Sequence, residues 1–245
     1  MGTQATALKP SMQLPPDAPR PDFRWTVSLP TTWRIIDLNP ARTDAVISNL
    51  LRDDDLVPGA RLKRSHQREV KQQMMEMATQ ARDAGSVLAL ILPGVLDDTV
   101  TAVTLLMRWV DSAPTSASVL GAQKQLGSPE DSTVEKTNQG DPYLLFHSQM
   151  EGGPITQRRT LYTHQAFIPA PGTTWTLVVS ATAPSAESSD GVEAIVRRVA
   201  ASFAVVPDDT QLTFNNDDDA DGASSAQTPF SRVWLSEEGE VNNAR

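Results

Sequence analysis

A chain of 245 residues with a formal net charge of −9, 39% hydrophobic and 5% aromatic residues has apolar surface for a core but leaves part of its length outside it. The acidic balance argues against a nucleic-acid binder built on overall basic charge. With no cysteine, the sequence excludes a disulfide framework and a Cys-ligated zinc site.

Residues 1–22 hold Pro10, Pro15, Pro16, Pro19 and Pro21 among few large apolar side chains. Closely spaced prolines remove backbone donors and favour extended chain, which predicts a disordered Pro-rich lead-in. No apolar run follows a basic start, so a secretory signal is not visible. Gly2 with Thr6 fits the short acylation pattern M-G-x-x-x-[ST], read here as chance because one acyl chain anchors only weakly. The most apolar stretch, residues 87–92, is far too short to span a bilayer. Cytoplasmic residence without stable membrane insertion is the expectation.

Residues 24–37 read as two short strands around Leu29–Pro30, with Trp25, Val27 and Leu29 alternating before the turn and Trp33, Ile35 and Asp37 after it. Asn39–Pro40 is an N-cap and N1 pair opening a short helix with a Val46, Ile47, Leu50, Leu51 stripe that ends near residues 53–55. A long helix is predicted over residues 60–84. It places Leu62, His66, Val70, Met74, Met77 and Ala81 on one face and Gly85 at C′. Residues 87–92 read as a buried strand stopped by Pro93–Gly94, and residues 99–110 as a long strand through Val103, Leu105, Met107 and Trp109. A short helix around Val119, Leu120 and Leu126 and a polar edge strand over residues 133–138 follow. Residues 143–150, 158–168 and 174–181 are further strands between turn signals. Residues 191–203 form an amphipathic helix through Val192, Ile195, Val196, Val199 and Phe203.

Beyond Val206 the composition shifts. Residues 207–245 hold nine acids and two arginines, a net of −7, leaving 21 acids against 19 bases, or −2, for the rest. Within that stretch Phe230, Val233, Trp234 and Leu235 form an apolar island beside Glu237, Glu238 and Glu240. An acidic flexible tail with one aromatic island (230–235) has the layout of a docking peptide; an extra strand or turn on the parent domain is the alternative.

The order of elements predicts an α+β fold. One domain over residues 23–206 holds an antiparallel sheet with packed helices, framed by disordered segments at 1–22 and 207–245. The Leu29–Pro30–Thr31–Thr32–Trp33 hairpin, the Asn39–Pro40 capped helix, the long helix into a strand, the meander and a last helix ending at Ser202–Phe203 carry a resemblance. Over about Phe23 to Val206 the layout resembles actinobacterial proteins of the PsbP-like and LpqN-like type. That resemblance implies a sandwich on an antiparallel sheet and partner binding rather than catalysis. The chain departs from the LpqN-like lipoproteins in having neither their signal nor their cysteine.

Candidate chemistry is sparse. Pairing the strands across Gly152–Pro154 sets His147 opposite Tyr162 with His164 diagonal, two imidazoles with no carboxylate and so an incomplete metal site. His66 reads as a core or rim histidine. Nucleophile-elbow, phosphate-loop, dinucleotide and zinc-protease motifs do not occur. Asp217, Asp219, Asp221 and Gly222 match half of a calcium loop, but Thr228 stands where the bidentate Glu belongs. On the long helix Arg61, Arg64, Arg68 and Lys71 step by three and four into one basic ridge, continued by Met75 and Arg82 and flanked by Glu69, Glu76 and Asp83. Such a ridge is either a solvated surface or, given its unfavourable place near a helix N-terminus, a site for an anionic counterpart.

The expectation is a non-enzymatic, secretion-associated interaction module without cofactor or metal. It would bind a partner protein, not nucleic acid, through Arg61, Arg64, Arg68 and Lys71 and through Phe230, Val233, Trp234 and Leu235. The alternative is a small-molecule or lipid carrier with a pocket between sheet and helices lined by Met74, Met77, Trp109 and Phe146.

Overall fold

The computed structural model describes residues 12–13, 15–52, 64–96, 99–127, 129–152, 158–206, 230–235 and 240–243. In chain order the first half supplies β1 (Met12–Gln13), β2 (Arg24–Pro30), β3 (Arg34–Ile36), α1 (Pro40–Leu50), α2 (Arg64–Asp83), β4 (Ser86–Leu96) and β5 (Thr99–Asp111). The second half supplies α3 (Val119–Leu126), β6 (Ser132–Lys136), β7 (Pro142–Gly152), β8 (Arg159–Pro169), β9 (Trp175–Ala183), α4 (Ala186–Ala201), β10 (Ala204–Val206), β11 (Phe230–Leu235) and β12 (Glu240–Asn243). The fold is α+β, with antiparallel sheets and helices packed on them.

Seven strands form the larger sheet in the order β3-β4-β5-β9-β8-β7-β6, every neighbouring pair antiparallel. Side chains alternate across a strand, so each strand feeds two faces. Leu105, Met107 and Trp109 of β5 join Tyr143, Leu145, Ile168, Leu177 and Val179 in one core on the inner face. That face is covered by α4, through Val192, Val196, Val199 and Ala200, and by β2, through Trp25, Val27 and Leu29. On the outer face Ala89 and Ile91 meet α1 and α2, while Leu144, Phe167 and Val178 meet α3.

The helices begin and end where local chemistry dictates. The Asn39 side chain accepts from the Ala41 N–H at 3.0 Å, with Pro40 at the first helical position. Buried Asp37 accepts from the Asn39 N–H at 2.9 Å and pairs with Arg42 at 2.9 Å, so its charge is compensated. α2 buries Val70, Met74, Ala78 and Ala81 and stops at Gly85, whose φ of 72° suits a residue without Cβ.

Several expectations are corrected. β2 and β3 are not a hairpin: β3 joins the larger sheet beside β4, whereas β2 lies between β10 and β11 in a second sheet ordered β1-β12-β11-β2-β10. Strand β4 passes through Pro93–Gly94, because β3 reaches only to Ile91 and beyond it β4 is an edge where a missing N–H costs little. Helix α4 starts at Ala186, earlier than predicted, because the Ser185 side chain caps it by accepting from the Ser188 N–H at 3.3 Å. The lead-in is not disordered at its end, since Pro15, Ala18 and Pro21 are buried against the domain.

The tail is likewise not free throughout. Residues Phe230–Leu235 pair along β2, Val233 with Val27 and Leu235 with Trp25, and β12 closes the other edge. Deleting residues 230–245 leaves that edge of β2 without its ladder. The expected loss is at least about 2 kcal/mol, summed over net hydrogen bonds of about 0.5–1.5 kcal/mol each. At about 2–4 °C per kcal/mol the melting temperature should fall by roughly 4–8 °C in a thermal scan; an unchanged midpoint would contradict the strand pairing.

Candidate functional site

The long helix sorts its charges differently from a uniform basic surface. Lys71 forms a 2.7 Å ion pair with Asp44 of α1, so this flank of α2 is turned toward α1 and part of the ridge is neutralised within the domain. Arg68 is exposed and Met75 packs half-buried against the α1–α2 core. Arg64 opens α2 as a backbone position, and Arg61 lies outside the described residues. Phe230, Val233, Trp234 and Leu235 sit in β11, Phe230 paired with β2 and the other three with both β2 and β12, a placement unlike that of a free docking peptide. The Asp217–Gly222 half-loop also lies outside the described residues.

The four residues expected to line one carrier pocket are split apart. Met74 is in the α1–α2 core with Met77 packed beside it, Trp109 is in the inner core, and Phe146 packs under α3. Alternation explains the split: Trp109 points inward from β5, whereas Phe146 points outward from β7 and Met74 belongs to a helix on the outer face.

The histidine pair does form, in a register two residues from that expected. His147 lies directly opposite His164, and Tyr162 opposite Gln149. His147 is exposed; His164 is buried beneath α4. Its Nε2 is 2.9 Å from Ser189 Oγ, and its Nδ1 is 3.6 Å from Glu193 Oε2, too long for a hydrogen bond. Glu193 Oε1 instead accepts from Arg197 at 2.8 Å. Arg197 Nε donates at 2.9 Å to Glu135 of β6, which accepts the Tyr143 hydroxyl at 2.6 Å. A polar chain thus runs from edge strand β6 to Glu193 of α4, beside His164. Burial first, then the Glu135 hydrogen bond, raises the Tyr143 phenol above its ordinary range.

Ser189, His164 and Glu193 stand in the sequence of nucleophile, base and acid, without the base–acid hydrogen bond of a triad. Ser189 is 9% exposed, and the Glu193 carboxylate is bound to arginine rather than to the imidazole. Among the described residues no group of three His, Asp or Glu side chains can hold a metal ion. Sequence reading found the two histidines but not Ser189 or Glu193; the available signal was the Glu193–Arg197 spacing of four on a helix.

Among the described residues the outer face carries two cavities of different chemistry. One, of about 220 Å³, runs along α2 and is lined by Val70, Gln73, Met74, Met77, Ile91 and Pro93 among others. The other, of about 510 Å³, lies beside α3 and contains Arg108. Between them the sheet shows half-buried Thr104, Leu106, Thr163, Gln165, Ser180 and Thr182. Thr163 and Thr182 hydroxyls approach to 3.4 Å, and Gln165 donates to Ser180 at 3.3 Å. Among the described residues no helix is long and apolar enough to cross a membrane.

His164 supplies a pH test. Burial lowers its pKa from the ordinary 6.5, with His147 and Arg197 adding to the effect and Glu193 and Asp190 opposing it. The unfolded chain therefore takes up the proton first as pH falls, so this residue's contribution is complete above the unfolded pKa and is lost progressively below it. Urea unfolding between about pH 7 and 5.5 should show stability falling, with His164→Gln reducing that slope. An identical slope in the variant would contradict the assignment.

Comparison with known proteins finds no matching family model, no matching curated protein and no matching solved structure.

Proposed function

We propose that the protein is a non-enzymatic interaction module that docks a basic, amphipathic segment of a partner protein on its outer sheet face. The observation that carries this reading is the apolar groove along α2. Met74 and Met77 of the helix face Ile91, Pro93 and Ala102 of the sheet across it. Methionine is flexible and polarizable and adapts to apolar surfaces of varied shape. Gln73 lines the same groove, and its neighbours on the helix surface, Glu69 four residues before and Glu76 three residues after, are exposed acids. The rim is thus negative and the floor apolar, the complement of a helix with one basic and one apolar side. The chain's net charge of −9 favours the same partner.

This places the docking surface on the flank of α2 opposite the basic ridge, whose Lys71 already answers Asp44. A fluorescein-labelled amphipathic Leu/Lys helical peptide serves as the probe in an anisotropy titration. Glu69→Lys with Glu76→Lys should weaken binding roughly tenfold, as two exposed attractions of about 0.3–0.5 kcal/mol become repulsions. Met77→Asp should abolish it, and Lys71→Glu should leave it intact. Charge reversal at Glu69 and Glu76 without effect would sink the reading.

A further inference from the structure

We infer that the outer face carries a separate binding site, centred on Arg108, for a small organic molecule with one anionic group and a compact apolar body. The cavity of about 510 Å³ is bounded by β5, β8 and β9, by the loop of residues 112–118 and by α3. That volume falls within the range of small-ligand pockets, about 300–1,000 Å³.

The lining divides by chemistry. Val110, Phe167 and Val178 make an apolar wall, with Ala122 of α3 closing it from above. Arg108, Ser116, Ser118 and Gln125 provide polar groups, and no Asp or Glu lines the cavity. In a protein of net charge −9, a cavity with one cation and no acid is selective by sign.

Among the described residues Arg108 is positioned and has no ionic partner. It projects from the C-terminal part of β5 on the outer face, with Ser86 and Val178 as its cross-strand neighbours, neither of them acidic. No carboxylate among the described residues lies within ion-pair distance of it. Nearby Asp111 has the opposite parity on the strand, and its carboxylate is occupied by the Ala113 N–H at 3.0 Å and by the Thr174 hydroxyl. The guanidinium fork matches a carboxylate or phosphate in a bidentate fashion, and the arginine stem can lie on the apolar wall.

The loop that frames the cavity is held independently of any ligand. Ser112 donates through its hydroxyl to the Thr174 carbonyl at 2.8 Å, and the Ala117 N–H bonds the Thr173 carbonyl at 2.9 Å. The Ser118 hydroxyl accepts from the Gly121 N–H at 3.1 Å, which leaves its own hydrogen available to a ligand. Binding therefore needs no ordering of the loop, the condition under which one charged contact and modest apolar area give measurable affinity.

This site is independent of the groove along α2, so the two succeed or fail separately. The test is an NMR titration of the full-length protein with benzoate, phenyl phosphate and neutral benzamide. Saturable shifts are expected at Val110, Ala117, Gly121, Ala122 and Val178 with benzoate or phenyl phosphate, and the stronger of the two identifies the anion. Benzamide should bind at least tenfold more weakly. Arg108→Gln, which alters an exposed side chain, should weaken the anions about tenfold or more at an unchanged melting temperature, and Arg108→Lys should restore part of the loss. Equal binding of benzamide, full binding by Arg108→Gln, or no saturable shift with any probe would overturn the proposal.

Discussion

Trp109 stands where four separated parts of the chain meet. Its ring contacts Phe23 and Trp25 at the start of β2, Trp175 from β9 and Phe203 beyond α4, at centroid distances of 5.7, 5.1, 6.3 and 6.0 Å. Three of these contacts are near-perpendicular, the arrangement in which ring edges meet ring faces favourably, each worth about 0.5–1.5 kcal/mol beyond its burial. The indole N–H finds no partner among the described residues, so packing alone holds the ring. This junction locks β2 and α4 onto the larger sheet. It consumes the inner face and leaves the outer one open to the proposed contacts.

That division follows from alternation along β5. Leu105, Met107 and Trp109 build the core, while Thr104, Leu106 and Arg108 face outward onto a shelf that α2 and α3 cover only at its two sides. Both candidate sites therefore occur on one surface and differ in chemistry, one acidic-rimmed and apolar, the other holding a lone arginine. The polar chain Tyr143–Glu135–Arg197–Glu193 lies on the opposite face beside His164 and ties the edge strand to α4.

Much of the fold was legible in the sequence because helices and strands state their own periodicity. The Asn39–Pro40 cap, the Val70–Met74–Ala81 stripe and the β5 alternation needed no partner to be recognised. Strand partnership was not legible in the same way. Alternation shows which side of β2 is buried but not which strands it joins, so β2 and β3 entered different sheets and β11 folded back onto β2. The candidate site suffered more. The Lys71–Asp44 pair and the Ser189–His164 contact join elements that only tertiary packing brings together. Arg108 was not singled out, because a charged residue on a strand that also carries Thr99, Thr101, Thr104 and Asp111 gives no sign that a distant loop and helix build a cavity over it.

The most direct measurement of where this protein binds is hydrogen–deuterium exchange along the whole chain, alone and saturated with the Leu/Lys peptide. If the inner face belongs to the fold and the outer face to a partner, protection should rise over residues 69–80 of α2 and 102–106 of β5, with β2 and β11 unchanged. Protection gained along residues 24–30 and 230–235, with α2 and β5 unaltered, would contradict the account.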